Sequence, residues 1–247
     1  MGGRLNPKEF MDSIDRRWRA ESGLEHRGHY SIFYSLPQEH PILWLGQNPA
    51  GEFGRSPDAK ILSDEELLSG HSEFIDGDGD TSRNTGQFLL RLCGDVAKVR
   101  RVQGSNVIWH RSPNAASLVD ANRHPLDPLE AAAMAAPFIT EIIGYVRPQV
   151  ILVGGRTGFK WLKAALKPNK YSSRLFAKFE HLQDEDVSVG WGRPIPGVEC
   201  HQAHVDGQGM EVLTIVVPHL SRGVRDVVVE GVRGVLQRHA PGVFDLW

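Results

Sequence analysis

Two cysteines, Cys93 and Cys200, are all the thiols in 247 residues. Two cannot build a disulfide framework, nor the four-thiolate iron–sulfur site that a single chain would have to supply alone. Charge of one sign is equally scarce: 28 Lys and Arg oppose 30 Asp and Glu, giving a net charge of −2 and a pI near 6.6. A global field for nucleic acid is therefore excluded, and an anionic partner must be met by a local patch. No apolar run approaches the roughly 20 residues that span a bilayer. The start, "MGGRLNPKEF", also lacks the apolar stretch of a secretory signal. These absences predict a soluble, intracellular protein of the cytoplasm with no membrane partner. Internal repeats and low-complexity linkers are missing too. One domain over 1–247 is expected, with an N-terminal helix and edge segment in 1–40 and the core in 41–238.

What is present alternates between helical and strand signals, the pattern of an α/β layer fold with a mainly parallel sheet. "NPKEFMDSIDRRWRA" reads as an opening helix with Phe10, Ile14 and Trp18 at helical spacing. "YSIFYSL" reads as a strand or edge segment. Four apolar runs then predict strands at Ile42–Gly46, Asn106–His110, Val150–Val153 and Glu211–Val217. Helical stretches lie over Thr85–Val96, Pro128–Val146 and Arg156–Ala165, and a last one over Gly223–Arg238 carries Val227, Val228 and Val232 on one side. The expectation is a three-layer α/β/α sandwich around a mainly parallel four-stranded sheet. Ligands of such sheets bind outside the carboxyl ends of the strands, so the loops after Gly46, His110, Val153 and Val217 are the ones to read. Residues 70–84 form the longest stretch without a predicted element, and a long loop in a compact domain often serves function.

Those loops carry a resemblance. "NVIWHRSPNAASLVDANRHPLDPLEAAAMAAPFITEIIGYVRPQVILVGGRTGFKWL", Asn106 to Leu162, is similar to the middle of the uracil-DNA glycosylase superfamily, closest to its thermostable iron–sulfur branch. "NTGQFLLRL" resembles that branch's preceding helix, "GQNPAG" its first catalytic loop, and "VPHLSRG" a shortened form of its histidine-containing second loop. The likeness covers roughly residues 42–235. Two departures bear on chemistry. Ala135 stands where that branch carries a cluster cysteine, and the N-terminal cysteine pair is missing, so no cofactor or metal is implied. The first loop holds Asn48 where other branches carry a carboxylate, as the mismatch-specific and single-strand-selective branches do.

The resemblance implies DNA as partner, single- or double-stranded, and hydrolysis of an N-glycosidic bond by a monomer. Breaking that bond develops positive charge on the sugar and negative charge on the departing base, so it calls for a placed water and for donors to the base anion. Asn48 would hold the water, although an amide cannot take its proton. His219 would donate to the base oxygen; an ungapped alignment puts Val216 in that position instead. Asn106 would read the edge of the flipped base, because an amide can donate to a carbonyl and accept from an imino N–H. Gly46, Gln47, Pro49 and Gly51 would shape the loop against base or phosphate, and Phe74 would stack on the base. Ser221 and Arg222 would contact phosphates, Arg111 and Arg123 would serve either DNA or internal ion pairs, and Leu220 would fill the gap left in the duplex.

Each residue also has a plain structural reading. Asn48 suits a turn residue bonding its own backbone, His219 a histidine satisfied by backbone, Phe74 a packing ring and Asn106 a strand cap. Three further motifs are weaker. "CHQAH" (Cys200, His201, His204) has near-ligand spacing without a second ligand pair. "DGDGDT" from Asp76 departs from a calcium loop at Thr81 and Gln87. "VGGRTG" after Val153 lacks the spaced-glycine dinucleotide fingerprint and reads as a strand-to-helix turn. Three functions follow: a DNA glycosylase excising a deaminated base such as uracil; a weak or inactive superfamily member that binds nucleic acid or a nucleotide; and an enzyme handling free nucleotides, which has only the fold in its favour.

Overall fold

The computed structural model describes residues 4–24, 29–49, 62–112, 126–171, 177–182, 188–189, 193–194, 198–205, 209–220 and 223–244. Its helices are α1 (Pro7–Ser22), α2 (Asp64–Leu68), α3 (Glu73–Asp76), α4 (Asp80–Cys93), α5 (Val96–Arg101), α6 (Pro128–Val146), α7 (Arg156–Ala165) and α8 (Asp226–His239). Its strands are β1 (Ile42–Gly46), β2 (Gln103–Asn106), β3 (Val150–Gly154), β4 (Ala177–His181), β5 (Ser188–Val189), β6 (Arg193–Pro194), β7 (Glu199–Val205) and β8 (Met210–Val217).

The main sheet has six strands in the order β2-β1-β3-β8-β7-β4. β2, β1, β3 and β8 run parallel, while β7 and β4 extend the sheet antiparallel from β8. The expected four-stranded sheet is thus corrected to a six-stranded mixed one. Parallel strands buried on both faces need unbroken apolar runs. β1 (ILWLG) and β3 (VILVG) have them, with alternate side chains feeding two separate cores. Leu43, Leu45, Ile151 and Val153 meet α1, α6 and α7; Ile42, Trp44, Val150 and Leu152 meet α4, α5 and α8. Helices therefore cover both faces.

Local chemistry fixes the helix ends. Asn6 and Glu9 form a reciprocal capping box at α1, Pro7 fills the first turn where a missing N–H costs nothing, and Gly23 closes the helix at φ 69°. Trp18 on its inner face is fully buried, with its ring edge-on to Trp109 at 4.8 Å. Asp127 caps α6, accepting from the N–H groups of Leu129 and Glu130. By length and composition α6 could cross a membrane, contrary to the reading of the sequence, yet most of it is buried between the sheet and its neighbours.

Several expectations shift. The strand expected at Asn106–His110 ends where that run begins: the ladder is formed by Gln103–Asn106, and Val107, Ile108 and Trp109 continue past it as buried core. "YSIFYSL" forms no strand. It lies along the outer edge of β2 through Ser31 N–H to the Trp109 carbonyl (3.0 Å) and Tyr34 N–H to the Gly104 carbonyl (2.9 Å). Residues 70–84 hold α3 and the start of α4 rather than a long loop. On α8, Val228 and Val232 are buried whereas Val227 faces solvent.

Candidate active site

The parallel strands end on one edge of the sheet, and the chain passes from β1 to β2 on one side before crossing to β3 on the other. Such a reversal opens a crevice at the carboxyl ends. Gly46, the last residue of β1, is in register with Asn106, the last of β2. A Cβ at Gly46 would fall 2.3 Å from Asn106 Oδ1, so only glycine lets that amide lie across the end of β1. Asn106 is 1% exposed. Its Nδ2 is bonded to the Tyr34 hydroxyl, while Oδ1 is buried with no hydrogen-bond partner among the described residues. A hydroxyl can donate or accept, so either pole of the amide can be turned to the crevice.

Tyr34 holds this corner together. Desolvation pushes its phenol well above the ordinary tyrosine value, keeping it neutral. Its ring meets Phe74 edge-on, centroids 5.8 Å apart. Phe74 is itself buried, and a Cβ at Gly104 would come within 2.5 Å of its ring, so β2 is kept small here to admit it. Behind the rings lie two buried charges. Glu73 accepts the Leu62 N–H at 2.9 Å, and burial raises its carboxyl above the usual range. Arg111, 4% exposed, is pulled below its ordinary value by burial, against the opposing influence of Tyr34 and Glu73. Arg111 is thus a buried internal charge, the second of the two roles expected for it.

Residues 47–49 continue alongside residues 107–112. The Ile108 N–H donates to the Gln47 carbonyl at 3.0 Å and the Ser112 N–H to the Pro49 carbonyl at 3.1 Å. Asn48, half-buried between these strands of loop, donates through Nδ2 to the carbonyls of Pro49 and Ser112, each at 3.0 Å. Two carbonyl partners fix which end of the amide is nitrogen, leaving Oδ1 as the acceptor for a water.

On the other side of the crevice, Gly155 begins the turn into α7 at φ 94° and donates its N–H to the Val217 carbonyl at 2.8 Å. This bears out "VGGRTG" as a strand-to-helix turn. A Cβ at Gly155 would lie 3.4 Å from His219 Cδ2 and 3.8 Å from Gln47 Oε1, and one at Gly158 3.4 Å from Gln47 Cα. Gln47 and His219 therefore flank Gly155. His219 is exposed, and partial desolvation lowers its imidazole below the ordinary histidine value, which favours the neutral ring at pH 7. Val216 is fully buried inside β8, paired with Val153 and Glu199, so the histidine at the crevice rim is His219.

Two groups of expected residues are thus assembled: Gly46, Asn106 and Phe74 around Tyr34, and Gln47 with His219 around Gly155. Asn48 and Pro49 extend the loop that joins them. Leu220 does not stand out as a wedge; it is 4% exposed and packed into the core beneath α4 and α8, its carbonyl accepting from Asn84 Nδ2 at 2.9 Å. Gly51, Ser221, Arg222 and Arg123 lie outside the described residues. Tyr34, Glu73 and Gly155 were missed by sequence reasoning; the paired glycines of "VGGRTG" were the available signal for Gly155.

The remaining motifs separate. Strand alternation sends Cys200 to one core and His201 to the opposite face against Phe159, so "CHQAH" cannot converge on one ion. Asp76 is paired with Arg100, and Asp80 with Arg83. Among the described residues no three His, Cys, Asp or Glu side chains are placed to hold a metal. Compared with models of known protein families and with curated proteins, the chain returns no match.

Proposed function

We propose that this protein is a monofunctional DNA N-glycosylase that excises a deaminated base, uracil first among them. The observation that carries the reading is the Asn106 amide: buried at the end of β2, held at one pole by Tyr34 and left with a bare acceptor at the other. A buried polar atom without a partner costs about 1–3 kcal/mol, a cost that makes sense where a ligand supplies the missing hydrogen bond. An amide flanked by aromatic rings suits the edge of a planar base bearing alternating carbonyl and imino groups.

In this reading the target nucleotide is flipped into the crevice and its base edge meets Asn106. The bond from C1′ to the base breaks with its electron pair moving onto the base. His219 donates a hydrogen bond to the base oxygen where that charge collects. A water accepted by Asn48 Oδ1 adds to C1′ and loses its proton to solvent, since an amide has no basic pair to receive it. The missing base catalyst predicts a slower enzyme than a carboxylate-bearing one, by roughly the 10²- to 10⁴-fold that general-base catalysis contributes.

A second reading, a binding protein without excision, draws on the same loop. Both N–H groups of Asn48 are committed to loop carbonyls, as in a residue whose only task is to hold the turn. Single-turnover kinetics on a uracil-containing strand separate the two. Asn48→Ala and His219→Ala should each lower the cleavage rate about 10-fold or more with little change in DNA affinity. Affinity for damaged DNA without any abasic product would instead establish the binding reading.

A further inference from the structure

From Val150 to Phe179 the chain carries seven Lys and Arg and not one Asp or Glu, in a protein whose acids outnumber its bases. Four of the seven, Arg156, Lys160, Lys163 and Lys167, recur at spacings of four, three and four along and just beyond α7. At 100° per residue they fall within an arc of about 60°, a single basic stripe about 16 Å long. α7 starts directly after Gly155, so the stripe leads away from the crevice beside His219 and Gln47.

Most of the stripe is not spent on internal pairing. Arg156 at its head is bridged to Glu199 at 2.6 Å. Lys163 lies 5.4 Å over the Phe159 ring, a contact that leaves its charge in place. Lys160 and Lys167 are exposed, with no ion pair among the described residues. Among the described residues, two acids on elements packed against α7 are engaged elsewhere, Glu180 with Lys178 and Glu130 with Lys170. The apolar side of α7, including Phe159, Leu162 and Ala165, is buried against the sheet. A membrane-surface helix needs that side free to enter lipid, so the stripe fits a partner met by charge alone.

We infer that this face of α7 is the tract on which the phosphate backbone of DNA docks, with the bound strand running from the stripe into the crevice. The position of the strand rests on the glycosylase reading. The charge complementarity does not: each phosphate neutralised releases condensed counterions, which makes affinity fall with salt.

The test is fluorescence anisotropy with an undamaged duplex oligonucleotide across a salt series, so binding is read independently of excision. The triple variant Lys160→Glu, Lys163→Glu, Lys167→Glu should flatten the slope of log K against log salt by about 2 to 3, as expected for three lost contacts. Its glutamine counterpart should flatten the slope in the same way without added repulsion. Reversing Lys98, Arg101 and Arg238, which lie on helices of the opposite layer, should leave the slope unchanged. A wild-type slope in the α7 variants, or an equal loss in the control, would overturn the inference, as would capture by anionic vesicles but not DNA. Uracil excision that persists with an unaltered slope removes the α7 tract and keeps the glycosylase. An α7-dependent slope without excision keeps the tract and removes the glycosylase.

Discussion

Gly46 and Asn106 state the central tension of the molecule at the scale of single residues. One gives up its side chain so that the other can hold an amide in a place where half of its hydrogen bonding is unmet. Gly46→Ala would drive a methyl into Asn106 Oδ1 and displace the amide; we expect a loss of about 100-fold in single-turnover excision, equivalent to about 2.7 kcal/mol of transition-state stabilisation. Asn106→Ala should cost about the same activity while shifting stability by less than about 1 kcal/mol. The lost hydrogen bond to Tyr34 is then offset by removal of a buried unpaired acceptor. Urea denaturation beside the kinetics separates the two effects. A large stability loss without an activity loss would make Asn106 a strand cap.

His201 illustrates a different compromise. It is 3% exposed, its ring sits 4.5 Å from Phe159 and 4.8 Å from His181, and among the described residues neither ring nitrogen has a hydrogen-bond partner, the Glu199 carboxylate standing 3.6 Å from Nε2. Burial, reinforced by the neighbouring His181 and Lys163 and opposed by Glu199, lowers its titration to about 4. The unfolded chain, titrating near 6.5, takes up the proton first as pH falls. The contribution of the neutral ring is therefore complete above pH 6.5 and lost progressively between 6.5 and 4. His201→Phe keeps a ring in place and removes the titration. We expect it to match or exceed the wild type at pH 7.5 and to lose less stability at pH 5, by on the order of 1–3 kcal/mol, measured by urea denaturation at both values.

Among the elements, α1 contributes through packing. Trp18→Ala would empty the space between Trp109, Tyr30 and Phe138 and should cost about 3–5 kcal/mol, visible as a lowered midpoint of thermal unfolding. Two arginines of the same helix are tied down, Arg17 to Glu141 and Arg19 to Asp15 and the Tyr30 hydroxyl, so part of its outer face is ion-paired. α1 and α6 were legible because their apolar spacing and caps agree, α7 by its apolar spacing alone, and β1 and β3 because a strand buried on both faces needs an unbroken apolar run. β2 escaped because its residues, QGSN, are chosen for what approaches them: Gly104 for the Phe74 ring and Asn106 for the crevice. The antiparallel β7 escaped because Glu199, His201, Gln202 and His204 mask an alternation that the structure makes plain. Of the site, the loop after β1 and the residue Asn106 were readable as motifs. Tyr34 was not, since it arrives from 72 positions away to bond Asn106, and nothing local marks a contact of that range.

For the molecule as a whole, a nearly neutral chain gathers the residues of the proposed site on one edge of a mixed sheet. Four parallel neighbours supply the crevice, the loops after β1 and β8 supply Asn48 and His219, and α7 carries a basic stripe away from it. The two halves of this arrangement have separate readouts, salt dependence for the stripe and base release for the crevice. The measurement that bears most directly on the glycosylase proposal is incubation of the purified, folded protein with end-labelled oligonucleotides carrying one uracil, hypoxanthine or xanthine, followed by alkali to cut at abasic sites. Strand breaks at the uracil position that fall about 100-fold with Asn106→Ala are the expected result. Intact strands on all three substrates, from protein with a cooperative unfolding transition, would contradict it.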